Sequence, residues 1–401
     1  MEDQLPATVG EGILSLGLLS QSGDAQPTRS LQRAVPSTAS RLDTLAGILA
    51  HREVPEAVIS YAIKPQRAST ASLYDKQWAA FSAFCKDKNV HPLDSTDVTV
   101  AEYLISMFER GILPSTIKVH KAAILSVLSH TKPDISDSLI IRNCLRNFEI
   151  ERPRKLRVLP KFDINLVLWQ LLKPPFTSED SASDRDIPLD IFVCKLAFIL
   201  ALACGSRSSE LHAFSRAPGS LSREPHRGGT MLTLRTFVGF LAKNDRPDIL
   251  PAPIKIPSMF NLVGRCEPER FWCPVRAVDI YLSRTQGNEY SPEDTRLLRH
   301  PSPKITTTKG HVAFWIRNTV TLAYEAAGRG GEDPHINAHE VRALAHSLAH
   351  YRGASLKEVL DGGRWRGGES FFRHYLRDMT GSLEGPAGTA PVVIAGRTSK
   401  D

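Results

Sequence analysis

The stretch PLDIFVCKLAFILALACGSRSSEL, residues 188–211, decides the fold of the larger part of the chain. From Pro188 to Cys204 it is almost entirely apolar, which predicts a core helix buried on all sides. Lys195 interrupts the run, which is shorter than the ~20 residues that a membrane span needs. Gly205 then ends the helix, and a second helix begins with Ser206 as a cap. Arg207 would lie at the N-terminus of this second helix, where backbone N–H groups favour an anion, although a surface arginine paired with Glu210 is an alternative.

Length and composition describe a globular chain with an excess of positive charge. The 401 residues are 42% hydrophobic and 23% charged, which suits about two or three domains of ~100–200 residues each. The formal net charge is +7, and residues 1–65 hold more acidic than basic side chains. The positive excess therefore lies in residues 66–401, and it favours a polyanionic partner such as nucleic acid.

The cysteines and the N-terminus indicate the compartment. The six cysteines form no CxxC pair and no cluster with histidines at zinc-binding spacing, so we expect free thiols and no metal. The chain begins with the acidic residues Glu2 and Asp3 and lacks the apolar stretch of a secretory signal. We therefore expect an intracellular protein in a reducing compartment, with no membrane partner.

The N-terminal part divides into a leader, a helical domain and a linker. Residues 1–65 are rich in Ser, Gly, Ala, Gln and Pro, which predicts a poorly ordered leader with at most one short helix. In residues 66–151 apolar side chains recur at helical spacing, which predicts a four-helix domain whose third helix presents Lys118 and Lys121. Residues 152–160 form a basic linker, whose cations either are solvated or lie along DNA phosphates. These cations are Arg152, Arg154, Lys155 and Arg157.

Residues 161–380 predict a mixed domain in which helices accompany a small sheet. Strands are predicted over Met231–Val238 and Ile254–Ile256, with Lys243 in the connection between them. A helix is predicted over Ala338–Tyr351. Residues 381–401 are rich in Gly, Pro and Ala and predict a loose tail. The fold class is therefore mostly α with a small β-sheet.

Two further segments could carry chemistry. In Asn337-Ala338-His339-Glu340-Val341-Arg342 the first and fourth residues resemble a helix-capping pair. His339 and Arg342 then share one face, which points a proton carrier and a bidentate phosphate-binding group the same way. In the last segment Trp365, within GGRWR, precedes Tyr375, within FFRHYLRD. Taken singly, an HxxR sequence is common by chance, and a Trp beside glycines or a Tyr in an aromatic helix usually indicates packing.

Taken together and in order, these segments resemble the tyrosine recombinase, or phage integrase-like, family. The family signature reads Arg, Lys, HxxR, His or Trp, Tyr. In this chain GSRSSEL resembles the first box, FLAKN the β-hairpin lysine, and AHEVR the second box. The resemblance covers about residues 68–380 and implies a helical core-binding domain followed by the α+β catalytic domain. It implies the catalytic residues Arg207, Lys243, His339, Arg342, Trp365 and Tyr375.

The resemblance agrees with what metal-free phosphodiester cleavage needs. Two guanidinium groups, here Arg207 and Arg342, stabilise the charge on phosphorus, and a phenol attacks in line. Tyr375 suits this role because its phenolate is also a fair leaving group, which makes the step reversible. His339 would assist proton removal from Tyr375, and Lys243 would protonate the leaving 5′-oxygen.

The resemblance also implies partners and origin. WRGGESFFRHYLRD, CPVRA and GFLAKN look most like the recombinases of DIRS-type retrotransposons. This implies a nuclear protein that integrates a mobile element, binds double-stranded DNA and assembles as a tetramer, with no cofactor and no small-molecule substrate. It also implies that the Trp365 indole N–H donates to a phosphate oxygen.

Two alternative functions remain open, and the sequence departs from the family signature at one point. A type IB topoisomerase-like enzyme would use the same phosphotyrosine chemistry, and a DNA-binding remnant would have lost it. The departure is the interval of ten residues between Trp365 and Tyr375, where phage-type members commonly show about nine. A count of nine ends on His374, which is not a phenolic nucleophile.

Overall fold

The computed structural model describes residues 39–64, 68–154, 159–178, 185–226, 229–243, 252–260, 267–287, 289–332, 336–363, 365 and 367–382. The chain divides into two compact units, Met1–Lys155 and Leu156–Asp401. Most of the described chain is helical, and a small antiparallel sheet lies in the second unit. The predicted fold class, mostly α with a small β-sheet, is confirmed. Among the described residues, no helix is both long and apolar enough to cross a membrane.

The first unit is a helical bundle around an aromatic core. Thr96 and Ser138 begin two of its helices by accepting hydrogen bonds from backbone N–H groups of the first turn. Pro114 begins another, at a position where its missing N–H costs nothing. In the core, Phe81 packs edge-on against Tyr103, with ring centroids 5.3 Å apart. The helices are α1 Arg41–His51, α2 Glu56–Ala62, α3 Ala68–Asp87, α4 Asp97–Glu109, α5 Pro114–Leu128 and α6 Leu139–Glu151.

Helices α1 and α2 lie within residues 1–65, where the sequence predicted a poorly ordered leader. That prediction does not hold for residues 39–64. Leu45 and Ile48 of α1 are buried in the core of the first unit, and Arg41 Nε lies 3.0 Å from the Asp75 carboxylate. Helix α1 is the one short helix that the prediction allowed, whereas α2, which buries only Ile59, was not predicted. Residues 1–38 lie outside the described chain.

The second unit is built around one buried helix, α8. This helix packs against α11, α12 and α13, and nearly all of its side chains are buried, as the apolar run predicted. Lys195 is fully buried within it, and its ammonium donates to the Phe176 carbonyl at 3.1 Å. The helices are α7 Ile164–Gln170, α8 Leu189–Cys204, α9 Ser208–Ala213, α10 Glu267–Trp272, α11 Pro274–Arg284, α12 Lys309–Ala326, α13 Ala338–Tyr351, α14 Leu356–Gly363 and α15 Gly368–His374.

The sheet has three antiparallel strands in the order β1-β2-β3, with β1 Leu221–His226, β2 Gly229–Leu234 and β3 Ile254–Pro257. The predicted strand Met231–Val238 is thus longer than β2. Strand β2 ends before Val238 because the Phe237 N–H donates to the Ala213 carbonyl and not to a neighbouring strand of the sheet. Gly239, with φ of 87°, then turns the chain towards Lys243. Strand β1 was not predicted. It is an exposed edge strand that contains Pro225, and such strands lack alternating apolar residues.

Candidate active site

Arg207 follows the buried helix α8 at a sharp turn. Gly205 makes that turn with φ of 56°, and a Cβ at this position would lie 2.2 Å from the His346 ring. Only glycine fits there. Arg207 is 9% exposed, and its Nη1 donates to Glu210 Oε1 at 2.8 Å, while its backbone N–H donates to Oε2 at 2.9 Å. The pair with Glu210 therefore exists, but it is buried and is not the surface pair of the alternative interpretation.

Helix α13 places Arg342 beside that turn. Asn337 caps the helix by accepting a hydrogen bond from the Glu340 backbone N–H at 3.0 Å. Arg342 is 1% exposed, and its guanidinium donates to the carbonyls of Gly205, at 2.6 Å, and Gly363. Its Nη1 also lies 3.6 Å from Glu210 Oε2. Glu210 is thus shared by two buried arginines that are far apart in sequence.

Trp365 and Tyr375 lie against the same guanidinium. The Arg342 Cζ is 4.8 Å from the Trp365 ring centroid and 5.7 Å from that of Tyr375, distances at which a cation interacts with an aromatic ring. The two ring centroids are 4.9 Å apart. Tyr375 is half-buried at the end of α15. Trp365 and Tyr375, from the two C-terminal segments, therefore both contact Arg342 of the HxxR motif.

Two buried N–H groups at this contact have no acceptor among the described residues. They are Trp365 Nε1 and Arg342 Nε. A buried donor without a partner is costly and is rare in folded proteins. The Trp365 indole N–H is thus available, but a contact with a phosphate requires that it become accessible.

His339 lies on the exposed side of α13, under the influence of three cations. Its pKa is lowered by partial burial and by the charges of Arg207, Arg342 and Lys243, while Glu210 opposes the shift. The imidazole is therefore neutral at neutral pH. Lys243 is exposed on the chain that follows β2. Contacts thus connect Arg207, Arg342, Trp365 and Tyr375 of the predicted catalytic set, while His339 and Lys243 are connected to it through their charges.

The charge balance at the two arginines favours an anion. Burial and the charge of Arg207 lower the pKa of the Arg342 guanidinium, whereas Glu210 and the Tyr375 phenol raise it. Among the described residues, one carboxylate thus interacts with two guanidinium groups. A bound anion would supply the missing negative charge.

Several contributing residues were not assigned a role from the sequence. Glu340 was seen only as a capping residue, yet its carboxylate forms a buried, two-bonded ion pair with Arg377. His346 was interpreted as structural or solvated. It is fully buried, its Nδ1 lies 2.8 Å from the Arg342 carbonyl, and its ring is edge-on to Trp365. The sequence does contain a signal for His346, because it follows Arg342 by four residues and residues at this spacing lie on the same face of a helix.

The lysines predicted to contact DNA from the first unit lie on α5. Lys118 is exposed, and its ammonium is 2.6 Å from the Glu149 carboxylate. Lys121 is half-buried. Because an exposed ion pair of this kind contributes only ~0–1 kcal/mol, the pair with Glu149 does not prevent Lys118 from binding a phosphate.

The linker cations differ in their surroundings. The Arg152 guanidinium stacks on the Phe108 ring, 3.7 Å from its centroid, whereas Arg154 is exposed. Lys155 and Arg157 lie outside the described residues. The role of all these cations in DNA binding stays a prediction.

The described part of the chain holds no cluster of metal-ligating side chains, and its cysteines are free thiols. No three His, Cys, Asp or Glu side chains there are grouped so that they could hold a metal ion. Free cysteines are Cys85, Cys144, Cys194, Cys204 and Cys273, and Cys266 lies outside the described residues. Burial raises the pKa of the Cys194 thiol to about 11, which makes it unreactive.

Comparisons with known proteins give likenesses only among solved structures. No protein-family model matches the sequence, and no curated protein matches it. The chain is similar to a lambda integrase dimer bound to a COC' core site, with 15% identity, a TM-score of 0.43, and coverage of 82% of this chain and 91% of that one.

Two further structures give similar values. The XerH site-specific recombinase in a post-cleavage complex with palindromic difH has 14% identity and a TM-score of 0.48, and the match covers 87% of this chain and 84% of that one. The Tn1549 transposon integrase in complex with transposon right end DNA has 14% identity and a TM-score of 0.44, with coverage of 84% and 95%. At such low sequence identity the similarity concerns the fold alone and assigns no role to any residue.

Proposed function

We propose that this chain is a tyrosine recombinase, which cuts and rejoins double-stranded DNA through a covalent bond between Tyr375 and a backbone phosphate. One observation carries the proposal. Two buried arginines, Arg207 and Arg342, share a single carboxylate directly beside a half-buried tyrosine. That arrangement combines an anion-binding pair with a nucleophile and needs no metal.

The anion is a phosphodiester of the DNA backbone. The planar forks of Arg207 and Arg342 match the geometry of phosphate oxygens. The buried Arg342 Nε–H and Trp365 Nε1–H have no acceptor among the described residues, and they supply further donors once DNA binding makes them accessible. Both stabilise the negative charge that builds up on the phosphoryl oxygens in the transition state.

The chain and its DNA supply every bond and proton that the proposed cleavage step needs. The Tyr375 oxygen forms a bond to phosphorus while the bond from phosphorus to the 5′-oxygen breaks, which leaves a 3′-phosphotyrosine and a free 5′-hydroxyl. His339, which is neutral at neutral pH because of its lowered pKa, takes the phenolic proton. Lys243 gives a proton to the leaving 5′-oxygen. Rejoining follows the same path in reverse.

DNA binding and assembly extend the proposal beyond the active site. Lys118 and Lys121 of α5 contact phosphates, and the linker cations Arg152, Arg154, Lys155 and Arg157 do so as well. Strand exchange requires two DNA segments, so we propose a tetramer on DNA. We further propose that the protein serves the integration of a DIRS-like mobile element in the nucleus.

The test is capture of the covalent intermediate. A pool of randomised duplexes that carry a nick traps the adduct, because the short cleaved strand diffuses away and rejoining fails. We expect a band that survives a denaturing gel, whose DNA yields the recognised sequence. No adduct from any member of the pool would point to a DNA-binding remnant. If the protein forms adducts and also relaxes supercoiled DNA while it is a monomer, the topoisomerase-like alternative is favoured.

A further inference from the structure

A second buried ion pair lies next to the proposed catalytic residues and is not part of them. The Arg377 guanidinium binds the Glu340 carboxylate through Nε to Oε1, at 2.9 Å, and Nη2 to Oε2, at 3.1 Å. Glu340 is 2% exposed and Arg377 6%. Glu340 stands between the histidine and arginine of the HxxR motif, and Arg377 lies two residues after Tyr375. The pair therefore joins the two segments that must meet for catalysis.

The same guanidinium also binds the backbone around Tyr375. Arg377 Nη1 donates to the carbonyl of His374 at 3.2 Å and to that of Leu376 at 3.1 Å. These two carbonyls flank the tyrosine on either side. Because α15 ends at His374, its last carbonyls need donors from elsewhere, and a cation is favoured there.

Ser347, two turns beyond Glu340 on α13, also binds the backbone of this segment. Its hydroxyl accepts from the Arg377 backbone N–H at 2.9 Å, and its single proton is shared between the Ala343 carbonyl, at 2.8 Å, and the Tyr375 carbonyl, at 3.2 Å. Ser347 is fully buried. The backbone of residues 374–377 is thus fixed to α13 by a charged side chain and a hydroxyl, neither of which reaches the reacting atoms.

We propose that Glu340, Ser347 and Arg377 are positioning residues, which hold the Tyr375 segment on α13 so that the phenol faces Arg342 of its own chain. We call these three side chains the nucleophile clamp. The clamp acts on the backbone that carries Tyr375, while Trp365 and Arg342 contact its ring. The ring contacts alone do not fix the backbone that carries Tyr375, which lies just beyond the last residue of α15.

An exposed ion pair on the same segment gives a matched control. Arg373 Nη1 lies 3.2 Å from Glu369 Oε1, and both side chains are largely exposed, at 62% and 83%. Glu369→Gln removes a carboxylate from α15 as Glu340→Gln removes one from α13. It touches neither the Tyr375 backbone nor the HxxR helix.

The first measurement needs no DNA. The chain has eight tyrosines, so uniform 3-fluorotyrosine labelling gives eight ¹⁹F signals, and Tyr375→Phe identifies the one of interest. We expect Ser347→Ala and the double variant Glu340→Gln/Arg377→Met to move this signal towards that of free fluorotyrosine, because the ring leaves the Trp365 face. Glu369→Gln should leave it in place. Ser347→Ala deletes one oxygen, so it decides the outcome if the double variant does not fold.

The second measurement rests on the proposed function. At saturating DNA, we expect the clamp variants to form the adduct about 100-fold more slowly, with a dissociation constant for DNA within twofold of wild type. A Tyr375 signal that stays in place in folded Ser347→Ala, or an unchanged rate at saturation, would overturn the proposal and leave the pair a purely structural one. Absence of an adduct in wild type would overturn the proposed function, while the ¹⁹F result would still decide whether the clamp holds the segment.

Discussion

Replacing Glu210 tests the charge balance that supports the proposed function. The Glu210 carboxylate is 4% exposed, binds Arg207 twice, at 2.8 and 2.9 Å, and lies 3.6 Å from Arg342. Glu210→Gln keeps the size and one acceptor but leaves two buried guanidinium groups without a counter-charge. Breaking a buried ion pair costs about 3–5 kcal/mol, which is a large part of the total stability of ~5–15 kcal/mol that proteins possess.

An anion that binds the two arginines should restore part of this loss. Ligand binding to the folded state alone stabilises it by RT ln(1 + [L]/Kd), about 2.7 kcal/mol at a hundredfold excess over Kd. Removing the competing carboxylate strengthens anion binding at this point. We therefore expect sodium sulfate to stabilise Glu210→Gln more than it stabilises the wild type.

The assay is urea unfolding with sodium sulfate or with sodium chloride at the same ionic strength. Sulfate stabilises all proteins to some extent because it is excluded from their surfaces, so a control variant is needed. Glu269 is equally buried, but its partner Arg276 is half-exposed. Glu269→Gln should cost about 1 kcal/mol and gain no more from sulfate than wild type.

Either of two results would contradict this prediction. If Glu210→Gln loses no more stability than Glu269→Gln, then Glu210 does not balance two buried cations. If sulfate stabilises both variants equally, the two arginines do not form an anion site, and the principal support for a bound phosphate is lost.

Three further predictions concern the reaction and the binding of DNA. Tyr375→Phe should fold, bind DNA and form no adduct, whereas Tyr351→Phe should still form one; the opposite pattern on a denaturing gel would place the nucleophile at residue 351. Replacing Arg154 and Lys155 with Ala should flatten the slope of log K against log salt by about one unit per lost contact, and an unchanged slope would mean that the linker charges are merely solvated. The adduct rate should hold down to pH ~6.5, the ordinary pKa of histidine, and fall only in more acidic solution, because the base is the neutral form of His339 and the pKa of this residue is lowered; a rate that rises in acid would exclude this role.

Helices with strong local signals were predicted closely from the sequence. Helix α13 runs over Ala338–Tyr351, as predicted, because Asn337 caps it and apolar residues repeat along one face. Helix α8 agrees to within a residue, because a continuous apolar run ended by glycine leaves few alternatives. In both helices the information lies within the segment itself.

Features that depend on distant partners could not be predicted in this way. Strand β1 pairs with β2 through its backbone, so its charged side chains give no strand signal. The pair of Glu340 with Arg377 joins residues that are 37 positions apart, and either side chain alone resembles a surface charge. The proposed catalytic set was found earlier than these contacts because its residue types follow one another in a known order.

The interval between Trp365 and Tyr375 shows what that order constrains. Successive residues of a helix point ~100° apart, so His374 and Tyr375 cannot both face Arg342 from the end of α15. The ring 5.7 Å from the Arg342 guanidinium and 4.9 Å from the Trp365 ring is that of Tyr375. A count of ten residues is therefore compatible with the contact, and it is the contact that catalysis needs. It follows that His374→Ala should retain adduct formation at saturating DNA while Tyr375→Phe loses it, and equal loss in both variants would mean that this part of the motif has been aligned incorrectly.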